Sequence, residues 1–306
     1  MTMKCVRSLL KYETNSCIMV VDNGSDCQER NTLISQLNNL GFVVYSKNNY
    51  KCHFKLRNQK RILYLLDKNY GYAAGNNYGL KLAAELDYEI FGIVNNDVVL
   101  KESVLPQLLE CMNTFENVAL VGPRVITGTS AKDSNPVQDR SSFYYLFWYK
   151  LFYPVLVFLD LAYRKRKRND SNMKVRLTRK KEFLSGCFFI GKIDLVEKIG
   201  FFDENTFLYA EEMILKHKLL NHGYQTVFCP TVSVIHLHGQ STKLFSERHV
   251  SKHNYEALRY YLKTYKKYCC IQLLLLDFAQ LVWQNFWLPI KIFFRRILKS
   301  KWEGWK

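Results

Sequence analysis

The chain has 306 residues, of which 48% are hydrophobic and 15% aromatic, and its formal net charge is +17. This length allows one large α/β domain with an appendage or two modest domains, and the charge predicts an anionic partner. The nine cysteines are scattered without a Cys-x-x-Cys pair, which excludes the usual zinc patterns, does not fit a disulfide framework, and indicates a reducing cytoplasm. The N-terminus shows no basic-then-apolar signal sequence.

Helix-like and strand-like segments alternate through the first half of the chain. The predicted helices cover residues 5–12, 29–40, 78–86 and 104–114, and the predicted strands cover 17–21, 42–45, 62–66 and 90–94. Gly41 gives the second helix a normal C-terminal stop. Alternation of this kind predicts an α/β fold with a parallel sheet and helices on its faces.

The run Asn95-Asn96-Asp97 directly follows the predicted strand 90–94. Open α/β sheets place their ligand sites beyond the carboxyl ends of the strands. A single carboxylate behind two neutral amides suits a divalent cation that carries phosphate oxygens. The alternative is a strand end followed by an Asx turn.

Two later segments combine aromatic and basic residues. Residues 141–163 are dense in Phe, Tyr, Trp and Leu and lead into five basic residues at 164–168, and the tail from Tyr260 onward has a similar pattern. Polar residues interrupt both segments, so neither reads as a membrane span. Helices lying on an anionic membrane surface fit better, with core helices as the alternative. No nucleic-acid-binding motif is present, and we expect no nucleic-acid partner.

Several motifs follow one another in a recognisable order. They are Val20-Val21-Asp22-Asn23-Gly24-Ser25, the glycine-containing run Asn69 to Gly79, Val94-Asn95-Asn96-Asp97, Glu182 to Cys187 with Glu211-Glu212, and Val234-Ile235-His236-Leu237-His238-Gly239. This order resembles the family 2 glycosyltransferases, inverting enzymes of the GT-A fold, and within them the rhamnosyltransferase-like group of surface-polysaccharide assembly. The resemblance covers about residues 5–245. It implies a GT-A-type nucleotide-sugar-binding fold with a mostly parallel central sheet flanked by helices, to which C-terminal amphipathic helices are added.

The resemblance assigns the donor nucleotide to residues at two strand ends and in the glycine segment. A carboxylate such as that of Asp22 can accept the imide N–H of a uracil or thymine ring, although an Asp-Asn-Gly-Ser turn also caps a helix. Glycines let the backbone approach a ligand, and helix N-terminal amides suit a diphosphate; the alternative is a glycine-rich connection without a ligand. The predicted donor-binding residues are Asp22, Asn23, Gly71, Gly75, Asn76 and Asn96.

The resemblance makes Asp97 the metal ligand, for Mg²⁺ or Mn²⁺. The cation would neutralise charge on the departing nucleoside diphosphate. A second protein ligand is expected from His236 or His238, because neutral imidazole binds Mn²⁺-like ions. A histidine on an apolar strand is otherwise a core residue. The resemblance favours His236.

The expected general base is Glu212, with Glu211 as the second candidate. Inversion requires a carboxylate that removes the acceptor hydroxyl proton. The alternative is that two acids at the start of a helix only complement its macrodipole. We predict this helix over residues 211–221, and we place Ser185 and Gly186 on the acceptor side.

Three departures from the family pattern stand out. The base position holds Glu where Asp is usual, and Ile214 replaces an acid two residues later. The chain also begins at a helix, so the first strand of the family pattern is apparently missing. A missing central strand exposes the edges of its neighbours, and we expect low stability or weak activity of this form.

These observations predict a glycosyltransferase domain over 1–245, with an aromatic and basic insertion at 141–168, and a membrane-associating helical segment over 246–306. The enzyme would act at the cytoplasmic face of the cell membrane as a peripheral protein. It would transfer rhamnose or another hexose from a dTDP- or UDP-linked donor to a polyprenyl-diphosphate-linked glycan, in O-antigen or capsular polysaccharide assembly. The alternatives are a catalytically impaired relative that binds glycolipid as a scaffold, and a nucleotidyltransferase.

Overall fold

A computed structural model describes residues 1–46, 56–127, 132–133, 135–154, 174–237 and 247–293. The chain forms two compact units. The first contains residues 1–139 and 174–240, and the second contains residues 140–173 and 241–306. The described part of the aromatic segment that begins at residue 141 therefore belongs to the second unit.

The first unit combines helices with strands. Its helices are α1 (Thr2–Tyr12), α2 (Cys27–Asn38), α3 (Tyr72–Glu85), α4 (Leu105–Met112), α6 (Ile193–Lys198) and α7 (Glu211–Asn221). Its strands are β1 (Ile18–Asp22), β2 (Val43–Ser46), β3 (Arg61–Leu65), β4 (Ile90–Val94), β5 (Val98–Val99), β6 (Val118–Thr127), β7 (Lys132–Asp133), β8 (Val137–Gln138), β9 (Arg176–Leu177), β10 (Glu182–Phe183), β11 (Phe188–Lys192) and β12 (Gln225–His236). The predicted alternation of helices and strands in the first half of the chain is confirmed.

The first three strands form a parallel sheet in the order β1-β3-β2. Helix α2 begins at a side-chain cap, since Asp26 accepts the N–H of Glu29 at 2.9 Å. The chain leaves α2 through Gly41 at φ +77°, the left-handed geometry that favours glycine at a helix end.

The larger sheet has the order β4-β11-β6-β12-β5, with β7 paired to β6 and β9 paired to β12. Strands β6 and β12 are parallel, whereas β11 runs antiparallel to both β4 and β6. The prediction of a mostly parallel sheet therefore holds for the small sheet, while the larger sheet is mixed. A hydrophobic pattern identifies a strand but does not give its direction. The chain also passes through the second unit and then forms β9 and β10 before β11.

Helix α3 packs against both sheets. Gly79 brings the helix close to β1, because a Cβ there would lie 3.1 Å from Val21 Cγ2. Leu80 of the same helix packs in a buried cluster with Phe91 of β4. In the described part of the chain no strand pairs with both β1 and β4, so α3 is an element that the two sheets share.

A disulfide joins Cys111 of α4 to Cys229 of β12 inside the larger core cluster. The cysteine pattern, which did not fit a disulfide framework and indicated a reducing cytoplasm, did not predict this bridge. The two residues are 118 positions apart in the sequence. Cysteine spacing along the chain does not report contacts that the sheet creates, which is why the pairing was missed.

The second unit is helical in its described part. It contains α5 (Phe143–Leu151), α8 (Glu247–Thr264), α9 (Cys270–Val282) and a π-helical turn (Trp283–Trp287). Lys150 of α5 donates to Gln280 of α9, and burial lowers the Lys150 pKa to about 7, although the charge of Asp277 opposes the shift. Asp277 accepts hydrogen bonds from Tyr255 and Arg259 of α8. None of the described helices is long and apolar enough to cross a membrane.

Candidate functional site

Asp97 and His236 meet at one edge of the larger sheet. Asp97 lies in the turn between β4 and β5, and His236 ends β12, where it is paired with Val98 of β5. The Asp97 Oδ1 and His236 Nε2 atoms are 3.0 Å apart, and the two side chains are 9% and 13% exposed. The prediction placed both residues at the metal, and the structure brings them together. His238 lies outside the described residues.

The environment of His236 favours its charged form. Burial alone lowers the pKa of the imidazole, but the hydrogen bonds to Asp97 and Cys187 outweigh it and raise the pKa to about 10. A carboxylate and a neutral imidazole are donor types that Mn²⁺-like ions accept, so the pair fits such a cation when the cation displaces the proton of His236. Among the described residues no group of three or more His, Cys, Asp or Glu side chains could hold a metal ion. Further ligands of a cation here would therefore come from other chemical groups or from residues outside the described part of the chain.

The two glutamates open α7 after an unusual turn. Tyr209 and Ala210 have φ values of 76° and 66°. Left-handed geometry costs non-glycine residues about 1–3 kcal/mol each, and such strain clusters at functional sites. The turn leaves Glu211 4% exposed, and its Oε2 atom has no hydrogen-bond partner among the described residues.

Glu212 is held by the backbone of Gly186. Its Oε1 atom accepts the Gly186 N–H at 3.0 Å, while the Tyr72 hydroxyl donates to the Gly186 carbonyl at 2.6 Å. A Cβ at position 186 would overlap Glu212 Oε1 and lie 2.9 Å from the Tyr72 hydroxyl oxygen. Only glycine therefore allows this close approach of the carboxylate, the backbone and the phenol.

Both glutamates hold their protons more tightly than usual. Burial raises the pKa of Glu211 to about 8, with a further contribution from the charge of Glu212. Burial also raises the pKa of Glu212, and hydrogen bonds from backbone groups, including Gly186, oppose the shift. A carboxylate with a raised pKa is a better proton acceptor near neutral pH than an ordinary one.

The segment Ser185-Gly186-Cys187 connects the two parts of the site. Gly186 contacts Glu212, and the next residue, Cys187, hydrogen-bonds His236 and accepts the Asn95 N–H through its carbonyl at 2.9 Å. Ser185, the other predicted acceptor-side residue, donates its N–H to Asn135. The Asp97–His236 pair and Glu212 are thus joined through adjacent residues of one segment.

Asp22 is buried at the end of β1 and already has partners. Its carboxylate accepts the hydroxyl and the N–H of Ser25 and the Nε–H of Arg30, the last at 2.7 Å. A carboxylate offers about four acceptor positions, so about one remains for a ligand. Sequence reasoning missed Arg30, and its position one turn into the helix that follows the strand is the signal that would have indicated it.

Asn23 anchors the glycine segment. Its side chain accepts the Tyr70 N–H at 3.0 Å and donates to the Gly71 carbonyl at 2.9 Å. Gly75 lies against the same amide, because a Cβ there would be 2.7 Å from Asn23 Nδ2. Asn76 donates to the Tyr72 carbonyl within α3. Four of the predicted donor-binding residues, Asn23, Gly71, Gly75 and Asn76, are therefore neighbours.

Asn96, the remaining predicted donor residue, lies beside the start of α1. Its Nδ2 atom is 3.3 Å from the Thr2 hydroxyl oxygen. It lies next to Asp97 in the chain, so the structure places it at the edge of the sheet that carries the Asp97–His236 pair.

No protein-family model matches the chain, and no curated protein matches it. Solved structures resemble it at 12% sequence identity. GalNAc-T7 with UDP, GalNAc and Mn²⁺ matches with a TM-score of 0.55 over 87% of this chain, which spans 46% of the GalNAc-T7 chain. The mannosyltransferase PcManGT from Pyrobaculum calidifontis, in complex with GDP-Man and Mn²⁺, matches with a TM-score of 0.50 over 92% of this chain and 68% of its own. The fold is therefore the GT-A type of glycosyltransferases.

Proposed function

We propose that this chain is a metal-dependent, inverting glycosyltransferase of the family 2 type that uses a nucleoside diphosphate sugar. The observation that carries the proposal is the continuity of the site. The Asp97–His236 pair, suited to a cation, and Glu212, suited to a proton acceptor, are linked through the adjacent residues Gly186 and Cys187. The GT-A-type fold supports the same reading, because its solved examples here contain nucleotides and Mn²⁺.

Asp97 and His236 would hold the divalent cation, Mg²⁺ or Mn²⁺. When bound, the cation would bind diphosphate oxygens and neutralise charge on the leaving nucleoside diphosphate. Such cations are commonly held by one or two protein side chains together with phosphate oxygens and water, which agrees with the small donor set. Asn96 and the glycine segment around Gly71 and Gly75 would lie along the diphosphate, and Asp22 would accept a hydrogen bond from the imide N–H of the nucleobase.

Glu212 would act as the general base. Its carboxylate would take the proton of the acceptor hydroxyl as that oxygen attacks the anomeric carbon from the face opposite the leaving group. Gly186 holds one carboxylate oxygen, which leaves the other for the acceptor. The position where the family usually has another acid is the buried Ile214, so that acid plays no part here.

The donor and acceptor follow from the resemblance stated above. A dTDP- or UDP-linked sugar, with rhamnose or another hexose, is the proposed donor. A polyprenyl-diphosphate-linked glycan is the proposed acceptor, in O-antigen or capsular polysaccharide assembly. The enzyme would be a peripheral protein on the inner face of the cell membrane, where such a lipid-linked acceptor is reached.

Calorimetric titration of the purified chain with UDP, dTDP and GDP, with and without Mn²⁺, tests the proposal. We expect one nucleotide to bind in the presence of Mn²⁺ and the Asp97→Ala variant to lose that binding. Asp194→Ala is the matched control, because Asp194 forms only an exposed pair with Lys198. It should bind as the wild type does.

Absence of nucleotide binding by a folded wild-type chain would reject the proposal. Nucleotide binding that is unaffected by Mn²⁺ and by Asp97→Ala would instead reject the metal assignment alone. Release of pyrophosphate from a nucleoside triphosphate and a sugar phosphate would show nucleotidyl transfer in place of glycosyl transfer.

A further inference from the structure

We propose that the outer faces of α5 and α9 form a surface that enters one leaflet of an anionic lipid bilayer. We call it the lipid-facing surface and define it by Trp148 of α5, by Phe152 directly after α5, and by Ile271, Leu274, Phe278 and Leu281 of α9. The inference deepens the peripheral membrane location of the proposed function and rests on that location, but it does not depend on sugar transfer.

Helix α9 is apolar on its outer side as well as its inner side. Leu273, Leu276 and Ala279 are buried in the helical unit. Leu274, Phe278 and Leu281 are 65%, 57% and 58% exposed. With Ile271, these exposed residues follow one another at intervals of three and four positions, so they occupy one face of the helix. A water-facing helix normally carries charged residues on that face.

Helix α5 shows the same arrangement. Trp148 and Phe152 lie one turn apart, and each has about half of its surface exposed. Their rings stack with centroids 5.5 Å apart. Lys150 of the same helix turns inward, where it donates to Gln280. The charged side chain thus points inward and is partly buried, whereas Trp148 and Phe152 are exposed, which is the reverse of a helix adapted to water.

The charges around α9 indicate an anionic bilayer as the occupant. Lys266 and Lys267 are exposed just before α9, and Lys291 is exposed after it. Asp277, the acidic residue of α9, is held by Arg259 at 2.8 Å. Basic residues at both ends of an apolar helix contact lipid phosphates while the apolar face enters the acyl region. The sequence continues this pattern with basic residues at 164–168 and 295–296.

A second copy of the chain fits this surface less well. Symmetric pairing of two α9 helices would bring the lysines at the ends of one helix against those of the other, and like charges oppose association. The exposed apolar residues of α9 occupy one face of the helix, and Asp277 lies on the side that is held by Arg259 of α8. The helix is therefore suited to lie along one leaflet.

Flotation of the full-length chain with vesicles tests the proposal. The vesicles contain phosphatidylcholine alone or equal parts of phosphatidylcholine and phosphatidylglycerol. We expect the wild type to float with the anionic vesicles and the Leu274→Glu/Phe278→Glu variant to bind them at least about tenfold more weakly. The matched control is Val44→Glu/Leu109→Glu, because these two residues are exposed and apolar in the first unit. The control should float as the wild type does.

Each contrary result overturns the proposal. The proposal fails if the wild-type protein, with a native circular dichroism spectrum, stays at the bottom of the gradient. It also fails if the double variant floats as the wild type does. A wild-type dimer that the double variant splits, without lipid binding, would assign the surface to a second copy. Nucleotide titrations run without lipid keep the two questions separate, because binding there can fail or succeed independently of flotation.

Fluorescence gives a second, local measurement. Trp148 lies on the lipid-facing surface, whereas the indole N–H groups of Trp283 and Trp287 donate to Ser251 and to the Leu151 carbonyl. In a chain with Trp302 and Trp305 replaced by Phe, we expect anionic vesicles to shift the tryptophan emission to shorter wavelength and the further Trp148→Phe change to remove most of that shift. An equal shift in the variant would exclude Trp148 from the contact and with it the α5 part of the surface.

Discussion

The α/β unit buries carboxylates, whereas the helical unit exposes large apolar side chains. Asp97 and Glu211 are almost inaccessible in the first unit, and most of the strongly exposed leucines and aromatic residues belong to α5, α9 and the π-helical turn of the second. Buried charges are costly unless a ligand or partner repays them, and exposed apolar patches are costly in water. Each unit therefore departs from the water-adapted norm in the way expected of its proposed ligand, a cation with a nucleoside diphosphate in the first and a lipid surface in the second.

The largest expected effect is on the activity of the first unit. Replacing Glu212 by Gln removes the proton acceptor but keeps the hydrogen bond to Gly186, so sugar transfer should fall about 10²–10⁴-fold. Nucleotide binding measured by calorimetry should not change. Glu197→Gln, an exposed glutamate of α6, is the control, and an equal loss of activity there would show a general rather than a local effect.

The second prediction compares the two faces of α9. Leu276 is fully buried, so Leu276→Ala should lower the free energy of unfolding by about 2–5 kcal/mol. Leu274→Ala should change it by no more than about 0.5 kcal/mol in solution, because Leu274 already faces solvent. Urea denaturation followed by circular dichroism measures both. Similar losses would mean that Leu274 is covered in solution.

A smaller effect is expected from adding one methyl group beside Glu212. The Cβ of Gly186→Ala would displace the carboxylate, and misplacing a catalytic group by about 1 Å costs up to about 10²-fold in rate. Gly92→Ala is the matched control in β4, where a Cβ would lie at an ordinary 3.8 Å from Ile190 Cγ2. Initial rates at saturating donor compare the two variants, and equal rates would contradict the assigned contact.

The smallest effect concerns Glu211 and pH. Its pKa is about 8 in the folded chain, against an ordinary value of 4.5, so the folded state keeps a proton that the unfolded state loses. Its contribution to stability is therefore present at acidic pH and is lost as the pH rises towards 8. Glu211→Gln should remove this dependence, so the variant should gain stability relative to wild type as the pH rises from 5.5 to 8. Urea denaturation of the wild type and the variant at pH 5.5 and pH 8 measures the difference. An equal change in the free energy of unfolding of both proteins between the two pH values would contradict the prediction.

Much of the fold was predictable because local signals were strong. Helix α7 spans the predicted residues 211–221, and α2 is followed by Gly41 as expected. Helix α3 begins at Tyr72, six residues before its predicted start, because Gly75 and Gly79 have low helix propensity. Their lack of side chains is needed for the close contacts with Asn23 and β1, so packing overrides propensity there.

The sequence indicated which residues to examine as a candidate site, but it did not predict their contacts. The motif order indicated Asp97 and His236, yet their 3.0 Å approach depends on the pairing of β5 with β12, which no local pattern reports. The same holds for the bond between Tyr72 and Gly186 and for the disulfide between α4 and β12. Long-range pairing is decided by the whole sheet, and a single sequence contains little information about it.

The contacts of Tyr72 have a consequence for the coupling between donor binding and acceptor binding. Its N–H donates to the Phe207 carbonyl just before the turn into α7. Its hydroxyl donates to the carbonyl of Gly186, the residue whose N–H binds Glu212. The preceding residue, Gly71, accepts a hydrogen bond from Asn23. A donor that orders the glycine segment would thereby also order the acceptor side. Thermodynamic linkage is reciprocal, so an acceptor must tighten donor binding by the same factor. The dissociation constant of the donor, measured with and without the acceptor, would then show cooperativity within a single chain.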